Sequence, residues 1–313
     1  MSQERSIRST RRTAEGEVVI GFFNTMWGMA LDATGLPPYC RLTTDHSEFA
    51  VADAIVYHIP THKGPPREIR PGQLRVAWSM ESEANYQRLV DPRFMRHFDL
   101  TMTYRLDADV PVTYISFYQG DGVVPGLRMP PGPKSSDKLV SVFISSGINQ
   151  SGREGYLAEL MQLLDVHSYG RHRRNRPLRD GDRGQPSKMR TISQYKFDLA
   201  FENSICDDYV TEKFYDPLLA GTVPVYLGAP NVGVFAPGEK CYINTADFSG
   251  PRDLAEYLLY LDQDDAAYAE YFAWKELPFR PEFQRLMRTE SNPAFARLCE
   301  TVRDRKNSSD TAI

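Results

Sequence analysis

Short apolar runs alternate with helical stripes along most of this chain, each bounded by turn residues. Glu17 to Phe23, Ala54 to Ile59, Leu74 to Met80 and Leu100 to Thr103 read as strands, separated by helical or loop segments such as Asn85 to His97. Gly120 to Lys138 is dense in Gly and Pro, which punctuate and stiffen a chain, and reads as a linker. Beyond it Leu139 to Ser145 is a strand. Arg153 to Leu164 places Tyr156, Leu157, Leu160, Met161 and Leu164 on one stripe of a helix, and Val166 to Tyr169 is the next strand. Lys196 to Phe201 is a buried-type strand. Thr211 stands where an N-cap belongs, a helix runs from it to about Ala220, and Gly221 ends that helix before the strand Val223 to Leu227. Arg252 to Leu261 and Ala266 to Glu276 read as helices. Residues 1–16 form a polar arm bearing Arg5, Arg8, Arg11 and Arg12, and the chain is polar and loose from about Asp304.

This order predicts an α/β protein of two units, 17–130 and 131–303, between the arm at 1–16 and a flexible tail at 304–313. Residues 195–230 carry its chemistry. Glu202, Asn203 and Ser204 interrupt the apolar strand with groups that are costly to bury unpaired. A strand leading into a helix N-terminus offers free N–H groups and the positive end of the helix dipole to a phosphorylated ligand. Lys213 adds a cation in the first helical turn, where acids are favoured, and local rules tend to be broken at sites. The alternative is a solvated lysine paired with Glu212 or Asp216.

Phe201-Glu202-Asn203-Ser204, Asp208-Tyr209-Val210-Thr211-Glu212-Lys213 and Ala220-Gly221-Thr222-Val223-Pro224-Val225 closely resemble the signature of the α1,3-fucosyltransferases, the inverting family that uses GDP-fucose. The resemblance extends through Trp78-Ser79-Met80-Glu81-Ser82, Thr101 to Arg105, Asp109-Val110-Pro111, Val166 to Gly170, Gly228 to Asn231 and Phe235-Ala236-Pro237, roughly residues 75 to 280. Met80-Glu81-Ser82 with Asn85-Tyr86, and Ala229-Pro230-Asn231, are nearer the core-fucosylating type.

The resemblance implies two Rossmann-like domains facing across a cleft, the GT-B type of glycosyltransferase. The second domain would bind GDP-fucose and the first a glycan acceptor containing GlcNAc. It implies that Glu81 is the catalytic base. The family often has Ser-Pro after that Glu; here Ser82-Glu83 follows, so Glu83 competes for the role and the loop is less fixed. It places Arg153 against the donor diphosphate, and Asn203, Tyr209 and Glu212 against GDP-fucose, with Lys213 stabilising the leaving group. Glu202 either joins that pocket or braces its loop. In the basic run Arg171 to Arg176, Asn175 and Arg176 are the members the family pattern singles out. The alternatives are a two-domain transferase for another nucleotide sugar and a non-catalytic glycan-binding relative.

Composition narrows the field. A net charge of −4 and a pI near 5.9 argue against general nucleic-acid binding. No stretch approaches the roughly 18 apolar residues of a membrane span, and the start is no secretory signal. These features lead to an expected cytoplasmic location, with the Golgi lumen applying only to a trimmed form. Cys40, Cys206, Cys241 and Cys299 are widely spaced and read as free thiols. Gly233 to Lys240 has P-loop glycine spacing but Glu239 where lysine is required, and Pro60 breaks any helix joining His58 to His62. Asp107-Ala108-Asp109 has metal-motif spacing but lies in the first unit, so no obligatory metal is expected, with Mn2+ or Mg2+ at most stimulating.

Overall fold

The computed structural model of this protein describes residues 16–115, 123–178, 181 and 183–310. The expected N-terminal arm lies almost wholly outside them. Two all-parallel sheets organise the chain. The first comprises β1 (Val18–Phe22), β2 (Cys40–Thr43), β3 (Ala54–His58), β4 (Leu74–Ser79), β5 (Leu100–Thr103) and β6 (Val110–Pro111), in the order β2-β1-β3-β4-β5-β6. The second comprises β7 (Val140–Val142), β8 (Val166–Ser168), β9 (Phe197–Phe201), β10 (Val223–Leu227) and β11 (Ile243–Asn244), in the order β11-β10-β9-β7-β8. Both sheets reverse their strand order beside their first strand, and ligands of such sheets bind at the carboxyl ends of the strands around that reversal.

The inner strands β1, β3, β9 and β10 are buried at every residue, as parallel strands covered on both faces must be. The three strands without a sequence-based expectation, β2, β6 and β11, all stand at sheet edges. They are short, β2 is only half buried, and β6 ends in Pro111, so periodicity marks them weakly.

The helices, in chain order, are α1 (Pro92–Met95), α2 (Val123–Arg128), α3 (Arg153–Leu163), α4 (Gln185–Ile192), α5 (Glu212–Leu219), α6 (Pro251–Gln263), α7 (Asp265–Ala269), α8 (Pro281–Thr289) and α9 (Ala294–Asp310). Thr211 caps α5 as expected, its hydroxyl accepting from Lys213 N. The single helix expected over Ala266 to Glu276 is α7 followed by a 3-10 segment, Glu270–Glu276.

Two expectations are corrected here. Residues 304–310 are the last turns of α9 rather than a loose tail. That helix returns to the first sheet, packing on β1 and β6 with Phe295, Leu298 and Val302 buried against Phe22 and Trp78. Lys306 pairs with Asp53 and Arg305 with Asp109. The return also brings together cysteines 259 residues apart: Cys40 and Cys299 form a disulfide, Cα atoms 6.1 Å apart, and only Cys206 and Cys241 are free. The free-thiol expectation therefore fails for Cys40 and Cys299, because linear spacing holds no trace of a helix that doubles back.

The Gly/Pro linker falls partly outside the described residues, and Val123–Arg128 within it is helical. It is stapled to the second sheet's layer. Lys134 Nζ donates to Ser193 O, Gly221 O and Thr222 Oγ1, while Lys275 Nζ reaches Leu127 O and Leu218 O. One apolar cluster runs from Phe22, Trp78 and Met102 through Tyr209, Phe214 and Tyr226 to Trp274 and Phe295, so the two sheets share a core that holds their strand ends in register.

Candidate active site

The carboxyl ends of β7 and β9 meet at the reversal point of the second sheet. The loop after β7 is laced onto the end of β9: Gln150 N and Ser151 N donate to Asn203 O at 2.7 and 3.1 Å, and Ser151 Oγ donates to Glu202 O at 2.6 Å. Arg153, the first residue of α3, is buried beneath this loop. Its guanidinium donates to Phe201 O, Ser146 O and Ile148 O at 2.9–3.0 Å, while its Nε is buried without a partner. As placed, Arg153 holds the loop in shape, since three carbonyls occupy its terminal nitrogens.

Glu202 joins the end of β9 to the start of α5. It is fully buried, and accepts from Thr211 N and Thr211 Oγ1 at 2.8–2.9 Å. Lys213 Nζ stands 3.4 Å from Glu202, 3.1 Å from Glu212 and 3.0 Å from Thr211 Oγ1. Burial alone would discharge this lysine, yet the charges of Glu202 and Glu212 outweigh it and hold the ammonium above its ordinary range. Burial likewise works to raise the Glu212 carboxyl, but Lys213 and Lys188 outweigh that and bring it down to about 2. Burial wins at Glu202, whose carboxyl is raised despite Lys213. Of the two readings of Glu202, the loop brace is the one these bonds describe. The reading of Lys213 as solvated and paired holds only in part: it pairs with Glu212, but its side chain is just 19% exposed.

Across the interface, Glu81 follows β4. Its backbone is fixed by Ser79, whose Oγ accepts from Glu81 N and donates to Glu81 O, each at 3.0 Å. Its carboxylate accepts from Tyr209 Oη at 3.3 Å. Burial raises this carboxyl above the ordinary range, opposed by the Lys213 charge and the Tyr209 hydrogen bond. Burial together with the Glu81, Glu202 and Glu212 charges drives the Tyr209 phenol well above its usual value, so it stays a donor. Glu83 is committed elsewhere, bonded to Tyr104 Oη and 3.5 Å from Arg105 Nη1. The loop that lacks the family's proline is nonetheless fixed, because Asn85 N and Tyr86 N both donate to Ser82 O.

Three further bonds close the two halves around these groups. Ser204 Oγ donates to Ser82 Oγ at 2.6 Å, Asn85 Nδ2 to Asn203 Oδ1 at 3.0 Å, and Leu106 N to Asp208 Oδ2 at 3.0 Å. Glu81, Asn203, Tyr209, Glu212 and Lys213 therefore share one site, with Arg153 beneath it.

The basic run after β8 divides. Asn175 pairs with the β8 backbone, accepting from Ser168 N and donating to Val166 O at 2.8 Å, and Arg176 lies against His167 and Asp165. Both belong to the sheet edge, so the family pattern there is accounted for by backbone pairing. His172 is the member that reaches the loop after β7: a Cβ on Gly147 would stand 3.3 Å from its ring. A Cβ on Gly170 would meet Ile144 O at 2.0 Å, so only glycine passes there. Among the described residues no cluster of three or more His, Cys, Asp or Glu side chains is arranged to hold a metal ion, and no helix is long and apolar enough to cross a membrane.

Residues 133–312 match Glycosyltransferase family 10 (fucosyltransferase) C-term, and residues 15–115 match Fucosyltransferase, N-terminal. Among curated relatives, a 3-galactosyl-N-acetylglucosaminide 4-alpha-L-fucosyltransferase of Bos taurus is 38% identical over 248 residues, 76% of this chain and 64% of that protein. A 4-galactosyl-N-acetylglucosaminide 3-alpha-L-fucosyltransferase of Pan troglodytes is 37% identical over 255 residues, 78% of this chain and 67% of that protein. A GDP-fucose protein O-fucosyltransferase 3 of Bos taurus is 37% identical over 207 residues, 62% of this chain and 43% of that protein. The chain thus spans about two thirds or less of the length of these relatives. Crystal structures of alpha1,3-fucosyltransferase superpose with TM-scores of 0.58 and, for one with GDP, 0.56, at 18% and 15% identity. The first covers 91% of this chain and 92% of its own, the second 91% and 94%. That likeness bears out the expected α/β fold of two Rossmann-like halves. By the match of its larger part, the chain belongs to glycosyltransferase family 10, the fucosyltransferases.

Proposed function

We propose that the protein is an inverting fucosyltransferase that moves L-fucose from GDP-fucose to a hydroxyl of a GlcNAc-containing glycan in α1,3 linkage, with Glu81 as general base. The observation that carries this reading is the meeting of Glu81, on the first half, with Tyr209 and the Lys213 helix start on the second. Glu81 takes the proton of the acceptor hydroxyl as that oxygen bonds to C1 of fucose. The C1–oxygen bond to GDP breaks on the opposite face, and GDP leaves with the electron pair. A carboxyl raised by burial is a stronger base than a solvated one. The ammonium of Lys213 and the N–H groups that start α5 stabilise the charge growing on the diphosphate. Asn203, Tyr209 and Glu212 line the nucleotide sugar, and Arg153 adds positive potential beneath the loop after β7. These fixed cations do the work a divalent ion does in other transferases, so activity is proposed to persist in chelator, with Mn2+ or Mg2+ only stimulating.

The acceptor is the widest part of the proposal, since relatives of similar identity are named for glycan and for protein acceptors. A protein hydroxyl is the second reading. A cytoplasmic location also remains a proposal, and the Cys40–Cys299 disulfide stands against it, because reducing compartments seldom keep such bonds. The deciding experiment incubates the protein with GDP-fucose and N-acetyllactosamine, an N-glycan core or chitobiose, following GDP release and product mass with and without EDTA. Fucosylated product from one acceptor confirms the reaction class and identifies the acceptor. Absence of GDP-fucose binding overturns the donor site, and tighter binding of another nucleotide sugar redirects it.

A further inference from the structure

Parallel strands are expected to offer apolar residues to the helices on both faces of their sheet. One face of the second sheet does so: Val140, Val142, Val166 and Phe197 pack with Leu157 and Leu160 of α3. On the other face, the one turned to α4, the strand register sets Asp198, Ser141 and His167 side by side. Asp198 accepts from Ser141 at 2.6 Å and feels the charge of Lys188 on α4. His167 belongs to the edge strand β8, and between it and α4 lies a cavity of about 520 Å³. Ser187, Arg190 and Thr191 of α4, with Gln194 just beyond it, line the cavity at the i, i+3, i+4, i+7 spacing of one helical face. A helix face turned to a sheet is ordinarily apolar, and none of these four residues is. A polar layer between helix and sheet costs stability, and such violations concentrate at sites.

The cavity is separate from the candidate active site. Of its lining residues Asp137 and Lys138 precede β7, Asp165 precedes β8 and Gln194 precedes β9, so this wall stands at the amino ends of the strands. Glu202, Glu212 and Lys213 lie beyond the carboxyl end of β9. Three cations, Lys138, Arg176 and Arg190, face two carboxylates, Asp137 and Asp165. Lys138 Nζ donates to Gln194 Oε1 and Arg190 Nη2 to Ser187 Oγ, and among the described residues neither cation has a carboxylate partner. His167 Nδ1 is 2.7 Å from Tyr195 Oη, while its Nε2 lies 3.0 Å from Asp165 and 3.1 Å from Arg176. A protonated Nε2 donates to Asp165 and a bare one accepts from Arg176, so one of the two always keeps bonding capacity for a ligand. The helix is anchored from behind, where Lys188 and Gln185 hold Asp216 of α5 at 2.6 and 2.7 Å. We infer that this cavity is a second ligand site, built for a phosphorylated sugar. The phosphate meets Arg190 and Lys138, and the sugar hydroxyls meet Asp137, Asp165 and Thr191. The volume is that of a small-molecule site and far exceeds what a bare phosphate fills. The site stands apart from the proposed glycosyl transfer and can be measured without it.

Titration calorimetry of the GDP-saturated protein with fucose 1-phosphate, AMP and inorganic phosphate tests the site. One equivalent of fucose 1-phosphate or of AMP is expected to bind, at least about 10-fold more tightly than inorganic phosphate. Which of the two binds more tightly tells a hexose phosphate from a nucleotide as the source of the ligand. Arg190→Gln and Lys138→Met are each expected to weaken that binding about 10-fold and to leave GDP affinity unchanged. Circular dichroism checks that both variants fold. Absence of binding by both sugar phosphates overturns the site, as does inorganic phosphate binding equally well. Folded variants that bind as tightly as the wild type overturn it too. Displacement of the sugar phosphate by GDP would make the cavity an arm of the donor site and likewise overturn the inference. If GDP itself fails to bind, the donor reading falls, and the same titration without GDP still decides the cavity.

Discussion

Tyr209 Oη donates to Glu81 Oε2 at 3.3 Å, although the two residues lie 128 positions apart and on opposite halves of the molecule. The bond is one of the influences on the basicity of Glu81. Burial raises the carboxyl, and the phenol together with Lys213 draws it back. Tyr209→Phe removes one of the lowering influences. The carboxyl then rises further, the ionised base is depleted at higher pH, and the acid limb of the pH profile of kcat/KM moves upward. Steady-state rates over the acid range check the direction, and a limb that stays in place would separate Tyr209 from the base.

Glu81→Gln should lower turnover by about 10²- to 10⁴-fold while GDP still binds by calorimetry. Glu83→Gln is the contrast, with a loss below about 10-fold, because Glu83 is spent on Tyr104 and Arg105. If the two variants exchange their effects, the assignment of the base is reversed.

Lys213 neutralises a carboxylate that has no access to water. Lys213→Met leaves Glu202 buried without its cation, and breaking such a pair costs about 2–4 kcal/mol once the partial exposure of Lys213 is discounted. Thermal unfolding should show a lower Tm, and added GDP should raise it less than in the wild type. Loss of stability with full GDP protection would leave Lys213 a structural cation only.

Much of this was legible in the sequence for a physical reason. Parallel strands buried on both faces must be apolar throughout, so β1, β3, β9 and β10 announce themselves. Thr211 and Gly221 punctuate α5 by capping chemistry that is local. The residues brought to the site were visible through Glu81, Asn203, Tyr209, Glu212 and Lys213. What stayed hidden is long-range. The commitment of Arg153 to three carbonyls, the pairing of Asn175 along β8 and the contact of His172 with the loop after β7 arise when distant segments dock. The last turns of α9, from Asp304, were obscured differently: they are wholly polar and look like a tail until the first sheet supplies Asp53 and Asp109 as partners for Lys306 and Arg305.

The disulfide is open to a count of thiols. In denaturant without reductant, alkylation should modify only Cys206 and Cys241, and after reduction all four cysteines. Joining β2 to α9 closes a long loop, which constrains the unfolded chain, so reduction should lower Tm. Four reactive thiols in the oxidised, denatured protein would restore the free-thiol reading.

Asp198 offers a pH test confined to the second sheet. The residue sits in β9, fully enclosed, accepting from Ser141 Oγ at 2.6 Å, with Lys188 lowering and Asp216 raising its carboxyl. Burial dominates and pushes it up to about 7. The folded chain therefore holds a proton that the unfolded chain has released between about pH 4 and pH 7. The stability this proton contributes is complete below the unfolded value and is lost as pH rises through the folded one. Asp198→Asn keeps the shape and the acceptor for Ser141 but cannot ionise. Its stability relative to the wild type should grow across pH 4 to 8, by about 2–4 kcal/mol in all. Chemical unfolding of both proteins at several pH values measures that difference. A difference independent of pH would mean that Lys188 holds Asp198 ionised, and that the carboxylate, rather than the carboxylic acid, is the native form.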